Sequence, residues 1–219
     1  VGVETFYGRL TGSFRVIDAL ATLAFDFPSG RSDRSPFFRS ELEEFFVWCA
    51  REGRDPLEPL GSFAGAMGLP QFMPSSLNRY AVDFDADGRT DLVGSGADIA
   101  GSVARYLAAF GWKAGLPTHF AATPAGSAED TALLREKDIL PSFTAAQLRE
   151  RGVGLPEAAQ AHEGPLALVE LENGAAAPTH VAGTTNFYAV TRYNHSSYYA
   201  MAVIELARSL KAAWAATAA

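Results

Sequence analysis

Three aspartates at alternate positions have the spacing that most directly predicts chemistry. Asp83, Asp85 and Asp87 are followed by Gly88, which reproduces the Asp-x-Asp-x-Asp-Gly start of an EF-hand calcium loop. In such a loop the alternate carboxylates converge on a hard cation, and the glycine permits a sharp turn. The alternative that the residues leave open is a solvated acidic turn without a metal.

The end of this loop departs from the standard pattern. An EF-hand loop has a bidentate glutamate at its twelfth position, where this chain has Gly94. The nearest later carboxylate is Asp98, so we expect a longer loop, over residues 83–98, that Asp98 closes. The carbonyl of Arg89 is then the seventh-position ligand. We expect Ca²⁺ to bind with modest affinity in a structural role, and we expect no organic cofactor.

A glutamate near the start of the chain is the candidate for acid chemistry. Glu4 stands among the apolar residues Val1, Val3, Phe6 and Tyr7, and an apolar setting favours the protonated form that a general acid needs. Cleavage of a glycosidic bond requires such a proton donor to the leaving oxygen. The residues alone favour the alternative, in which Glu4 is an ordinary exposed helix residue.

Other polar and aromatic residues are candidates for binding a sugar. Residues 61–74 are rich in glycine and alanine and contain two prolines, a composition that lets a ligand approach the backbone closely. Ser62 and Gln71 lie in this segment and are able to donate hydrogen bonds to a sugar, or to act as turn residues. Tyr106 lies on the apolar stripe of its helix, which favours core packing, and Tyr188 is a candidate groove residue.

Composition excludes several classes of protein. The 219 residues carry a net charge of −7 with scattered Lys and Arg, which argues against a nucleic-acid partner. No apolar run approaches the roughly 20 residues of a membrane span. The single cysteine, Cys49, lies at helical spacing with apolar residues and is expected to be buried and inert. The chain begins without methionine, which predicts a fragment or a processed product.

Hydrophobic periodicity predicts a mainly helical chain with a small β-containing insertion, an α+β fold. The predicted helices cover residues 14–27, 35–51, 75–80, 98–110 and 144–151 and a last segment from residue 197, and the predicted strands cover 166–171 and 180–182. We expect a core over residues 1–112, a small satellite over 113–185, and a return to the core with a C-terminal helix over 186–219.

Several segments together resemble the lytic transglycosylase B family. The first is Gly-Val-Glu-Thr-x-Tyr-Gly-Arg, which contains Glu4, and the others follow in the family's order almost to the end of the chain. They are residues 2–9, 17–23, 61–76, 81–84 with the acidic loop, 101–106, 110–112, 186–188 and 191–196. Agreement over so many segments makes the resemblance specific.

The resemblance implies a lysozyme-like core that acts on the glycan strands of peptidoglycan. Glu4 matches the family's sole catalytic acid, which cleaves the bond between N-acetylmuramic acid and N-acetylglucosamine without water and leaves a 1,6-anhydromuramoyl end. The residues implied to line the sugar groove are Ser62, Gln71, Phe72, Tyr106 and Tyr188. Those implied to hold Ca²⁺ are Asp83, Asp85, Asp87, the Arg89 carbonyl and Asp98.

Two other functions remain open at this point. A hydrolytic muramidase shares the acid but adds water, and a non-catalytic glycan-binding module needs only the calcium-stabilised fold. The resemblance further implies a periplasmic monomer, either unanchored or attached to the outer membrane through a lipoprotein signal upstream.

Overall fold

The computed structural model describes residues 1–30 and 32–217 and is mainly helical, with short strands. The helices are α1 Gly2–Thr5, α2 Val16–Phe25, α3 Ser35–Glu52, α4 Pro74–Tyr80, α5 Gly96–Ala109, α6 Ala128–Arg135, α7 Ala145–Glu150, α8 Glu157–Gln160, α9 Thr185–Asn194 and α10 Ser197–Thr217. The strands are β1 Phe14–Arg15, β2 Leu60–Gly61, β3 His119–Ala121, β4 Thr123–Pro124, β5 Val153–Gly154, β6 Ala167–Asn173 and β7 Ala176–Gly183.

The chain forms two compact units, and the first is Val1–Tyr106. In this unit α2 packs on α3, and α3 packs on α4. Their buried side chains include Leu20, Phe45 and Leu77. Cys49 is 1% exposed in this core, which confirms its expected burial, and burial raises the pKa of its thiol, as an inert cysteine requires.

The second unit, Leu107–Ala219, is built around an antiparallel sheet with the strand order β3-β7-β6. Side chains alternate between the two faces of the sheet, as the period of two requires. Leu168 and Ala182 pack on one face with α6 and α7 residues, whereas Val169 and Val181 pack on the other face with residues of α9 and α10. The sheet therefore has an apolar layer on both sides.

The helices predicted over residues 35–51, 75–80, 98–110 and 144–151 are confirmed to within about two residues, as is the strand over 166–171, whereas the strand predicted over 180–182 begins four residues earlier, at Ala176. The helix predicted from residue 14 begins at Val16, because Phe14 and Arg15 instead pair with Leu60 and Gly61. Residues 191–196, expected to be a polar segment before the last helix, contribute four residues to α9.

Helices α6, α8 and α9 and the short strands β1 to β5 were not predicted from the sequence. Strands of two or three residues carry too little periodicity to be recognised. Among the described residues, no helix combines the length and the apolar character needed to cross a membrane. The return of residues 186–219 to the core stays a prediction.

Candidate active site and acidic loop

Glu4 lies on α1, a single helical turn that ends in an unusual backbone conformation. Glu4 is partly buried, and Thr5 is the one buried residue of the turn. Phe6, Tyr7 and Gly8 follow with φ values of 48°, 57° and 90°. Two successive non-glycine residues in the left-handed region are strained, so the surrounding structure must hold this turn in place.

The apolar neighbours of Glu4 are more exposed than the sequence suggested. Val1 and Val3 are 37% and 38% exposed, and Phe6 and Tyr7 are 63% and 60% exposed. These four side chains therefore do not enclose the carboxylate in an apolar setting. The reason is that α1 turns only Thr5 inward, and the left-handed turn directs the following rings to the surface.

Residues 1–12 are joined to the glycine-rich segment by contacts that only glycine permits. A Cβ atom at Gly12 would lie 2.1 Å from the carbonyl oxygen of Gly61, a distance that two non-bonded atoms cannot adopt. Gly12 also has a φ of 91°. A Cβ at Gly65 would lie 2.5 Å from the side chain of Leu20, so the segment packs closely on α2. The small-residue composition is thus explained by backbone packing within the protein.

Ser62 is placed to donate one hydrogen bond to a ligand. Its Oγ accepts hydrogen bonds from the backbone N–H groups of Ala64 (3.3 Å) and Ala66 (3.0 Å). These bonds use the oxygen as an acceptor and fix its position, while the hydroxyl proton remains available for donation. Ser62 is partly buried, and its local role as a turn residue is therefore compatible with a binding role.

The Gln71 side chain offers a ligand a hydrogen-bond acceptor, whereas the sequence suggested a donor. Its Nε2 donates to the carbonyl oxygens of Gly68 (2.9 Å) and Thr11 (3.1 Å), and these two acceptors use both amide protons. The side chain can therefore offer a ligand its Oε1, an acceptor, and not a donor. Gln71 has a φ of 53°, and backbone strain of this kind occurs most often at binding and catalytic sites.

Phe72 and Tyr106 are buried aromatic residues that pack against each other. They are 2% and 7% exposed, and their ring centroids are 5.6 Å apart. Tyr80 packs edge-on against Tyr106 at 5.0 Å. Little of either ring is exposed, and their contact with a sugar stays a prediction.

Tyr188 belongs to the second unit, on α9. The guanidinium of Arg192 lies over its ring at 5.2 Å and donates to its hydroxyl at 3.3 Å. Arg192 thus fixes the orientation of the tyrosine. The groove role of Tyr188 stays a prediction.

The acidic loop connects α4 to α5, and it brings together the three aspartates that the sequence singled out. One carboxylate oxygen from each of Asp83, Asp85 and Asp87 lies within 4.8 Å of the others. Calcium ligands lie about 2.3 to 2.6 Å from the ion. Oxygens on opposite sides of one ion are therefore about 4.6 to 5.2 Å apart, which agrees with the spacing of these carboxylates. These residues therefore fit a calcium ion.

Asp98 differs from these three aspartates in its burial and in its hydrogen bonds. It is 1% exposed, and its two carboxylate oxygens accept the backbone N–H groups of Asp91 (2.8 Å) and Phe84 (2.7 Å). These hydrogen bonds hold the pKa of Asp98 below its usual value. Asp98 therefore joins the two sides of the loop, and its expected coordination of the ion stays a prediction.

Two further residues of the loop, Ser95 and Asp91, make hydrogen bonds that order it. Ser95 Oγ donates to Asp85 Oδ2 at 2.8 Å and accepts from Asp98 N at 3.2 Å. Asp91 Oδ1 accepts the N–H groups of Gly94 and Val93, which lowers the pKa of Asp91. Arg89 places its guanidinium 3.7 Å from Asp87, and the carbonyl role of Arg89 stays a prediction.

Comparison with known proteins settles the family. The model of the transglycosylase SLT domain matches residues 1–208. The chain belongs to the transglycosylase SLT domain family. The membrane-bound lytic murein transglycosylase B of Escherichia coli (strain K12) is 40% identical over 210 residues, a match that covers 96% of this chain and 55% of that protein. The chain thus spans about half the length of this relative.

Solved structures of SLT-family transglycosylases agree with this assignment. The soluble lytic transglycosylase SltB1 from Pseudomonas aeruginosa matches with a TM-score of 0.85 and 41% identity, over 98% of this chain and 68% of that one. The E. coli lytic transglycosylase Slt35 in complex with calcium matches with a TM-score of 0.79 and 39% identity, over 97% and 64%. The expected lysozyme-like α+β fold is therefore confirmed.

Proposed function

We propose that this chain cleaves the β-1,4 bond between N-acetylmuramic acid and N-acetylglucosamine in peptidoglycan without adding water. Protonated Glu4 donates its proton to the glycosidic oxygen as the bond from C1 of the muramoyl residue to that oxygen breaks. The resulting Glu4 carboxylate then takes the proton of the muramoyl C6 hydroxyl. The C6 oxygen bonds to C1, and the product is a 1,6-anhydromuramoyl end.

The observation that carries this proposal is that the two segments joined around Glu4, residues 1–12 and 61–73, contain only one acidic side chain. Residues 1–12 and 61–73 contain a single carboxylate, that of Glu4, and they are joined by the hydrogen bond from Gln71 to Thr11. A reaction that needs neither an activated water nor a protein nucleophile requires only one acid that also serves as the base. The acetamido oxygen of the substrate stabilises the positive charge at C1, in the role that a second carboxylate has in other glycosidases.

The polar groups of the glycine-rich segment suggest how a sugar is oriented. Ser62 offers a proton, and Gln71 offers an oxygen. This pair suits an acetamido group, since that group has a carbonyl oxygen to accept from Ser62 and an N–H to donate to Gln71. We assign Phe72 and Tyr106 to the support of this wall, and Tyr188 to a sugar contact.

The acidic loop is proposed to hold a structural calcium ion. Asp83, Asp85 and Asp87 supply the first carboxylates, with the Arg89 carbonyl and Asp98 as the remaining protein ligands. The convergence of the three carboxylates supports this assignment, and so does the calcium complex of the related Slt35. We further propose that the protein is a periplasmic monomer whose partners are peptidoglycan glycan strands.

The test is the comparison of the wild type with Glu4→Gln on purified cell wall. Glutamine keeps the size of the side chain but cannot donate the required proton, so we expect release of anhydro-muropeptides to fall at least about 10³-fold. The melting temperature should be nearly unchanged, because Glu4 is only partly buried.

Either of two results would contradict the proposal. A mutant that cleaves as fast as the wild type would show that Glu4 is not the acid. A wild type that binds cell wall but releases no fragment would instead indicate a glycan-binding module.

A further inference from the structure

We propose that Thr5 is a positioning residue. Its hydroxyl fixes the catalytic turn, residues 2–8, to the glycine-rich segment, residues 61–74. This inference rests on the proposed role of Glu4 as the acid. The hydroxyl of Thr5 makes three hydrogen bonds, in addition to the backbone hydrogen bonds of the turn, such as that from the N–H of Phe6 to the carbonyl oxygen of Gly2. The contacts of its oxygen and of its neighbours carry the argument.

The first step concerns the stability of α1. A helix of four residues is unstable on its own, because its few hydrogen bonds do not offset the cost of nucleation. In α1 only Thr5 is buried, at 0% exposure. Neighbouring side chains on a helix point about 100° apart, so the inward direction of Thr5 sets the direction of Glu4.

The second step concerns the bonds of the hydroxyl. Its proton is shared between the carbonyl oxygens of Val1 (3.0 Å) and Leu69 (3.2 Å), and its oxygen accepts the N–H of Gly8 (3.2 Å). The bond to Gly8 closes the left-handed turn over Phe6 and Tyr7. The bond to Leu69 joins this turn to a residue 64 positions away, two residues before Gln71.

The third step concerns Leu69, whose backbone is itself held in place by other contacts. Its N–H donates to the carbonyl oxygen of Leu92 at 2.9 Å. Beside it, a Cβ atom at Gly68 would already lie 3.0 Å from that oxygen, so the two segments are closely packed. Thr5 therefore ties the catalytic turn to backbone that is itself held from the other side.

These contacts predict a specific kinetic effect of removing the hydroxyl. Thr5→Val keeps the shape of the side chain but leaves the carbonyl of Leu69 and the N–H of Gly8 without this partner. We expect kcat to fall about 10- to 100-fold, the loss that a displacement of about 1 Å produces in a catalytic group. We expect KM to change less than about twofold, since the sugar-binding residues stay in place.

Thr5→Ser supplies the rescue, because serine keeps the hydroxyl and loses only the methyl group. Its kcat should stay within about threefold of the wild type. Ser102→Ala is the matched control, since Ser102 is a buried hydroxyl of the same unit that accepts the N–H of Val82 at 3.0 Å. That variant should lower the melting temperature without changing kcat.

The experiment measures kcat and KM for release of anhydro-muropeptides, well below the melting temperature of each variant. A Thr5→Val enzyme with wild-type kcat, or one whose loss is not reversed in Thr5→Ser, would overturn this inference while leaving Glu4 as the acid. If Thr5→Val does not fold, Thr5→Ala replaces it, and Thr5→Ser must then exceed it in kcat by about tenfold. An inactive wild type would overturn the proposed function itself, and this inference with it.

Discussion

The catalytic turn and the acidic loop lie in the same compact unit, yet they are held in contrasting ways. The turn depends on partners far along the chain, such as the bonds from Thr5 to Leu69 and from Gln71 to Thr11. The loop is held mostly by its own carboxylates, which accept backbone N–H groups a few residues away. Asp83, for example, accepts from Asp87 and Gly88.

This contrast has consequences for stability. A loop held by local bonds can form with little loss of chain entropy beyond its own residues. A site assembled from segments about 60 residues apart forms only when the whole unit folds. Substitutions in the catalytic segment, residues 1–12, should therefore lower the stability of the whole unit. Substitutions in the acidic loop should destabilise only the loop.

A pair of glycine substitutions tests this contrast with the largest expected effect. Gly12 and Gly88 have nearly the same φ, 91° and 92°, but a Cβ at Gly88 would meet no atom within 4 Å. Gly12→Ala should destabilise the protein by about 3 kcal/mol or more, because the catalytic segment must move away from Gly61. Gly88→Ala should cost only about 1 to 2 kcal/mol, the strain of its φ.

Denaturant unfolding of both variants measures the difference. Gly88→Ala serves as the control for backbone strain alone. Equal losses of stability in the two variants would show that the close approach of Gly12 to Gly61 contributes nothing.

Calcium provides a smaller effect, confined to the loop. An ion that binds only the folded state at ten times its dissociation constant adds about 1.4 kcal/mol to the free energy of unfolding. EDTA should therefore lower the melting temperature by several degrees, and added Ca²⁺ should restore it.

Two variants show whether this response belongs to the loop. Asp83→Asn should abolish it by removing a ligand charge. Asp55→Asn should retain it, since Asp55 caps the N–H of Leu57 in the same manner but lies outside the loop. A melt that is insensitive to EDTA in the wild type would contradict a structural calcium ion.

The same contrast explains how far the sequence could predict the molecule. The Asp83 to Gly88 motif contains its own geometry, and the structure brings its three carboxylates together as expected. Asp98 was expected only as a ligand, because its bonds to Phe84 and Asp91 depend on the course of the whole loop.

The catalytic segment was less predictable, for a physical reason. The apolar neighbours of Glu4 offered an apolar setting as one of two readings, but the left-handed turn leaves these neighbours exposed. The donor role expected of Gln71 is excluded by Gly68 and Thr11, and Thr11 is 60 residues away. The residue pattern along the chain does not reveal hydrogen-bond partners that are so far apart in sequence. The sequence signal for Thr5 is its place directly after Glu4, but its bond to Leu69 joins residues 64 positions apart.

The mass of the released fragments tests the central claim most directly. If Glu4 acts as both acid and base on a substrate that attacks its own C1, the muropeptides from digested cell wall should carry 1,6-anhydromuramoyl ends and be lighter than the hydrolysed products by one water. In water labelled with ¹⁸O, these ends should contain no label. Labelled, reducing muramic acid ends would show that water is the nucleophile, and would contradict the single-acid account in favour of a hydrolytic muramidase.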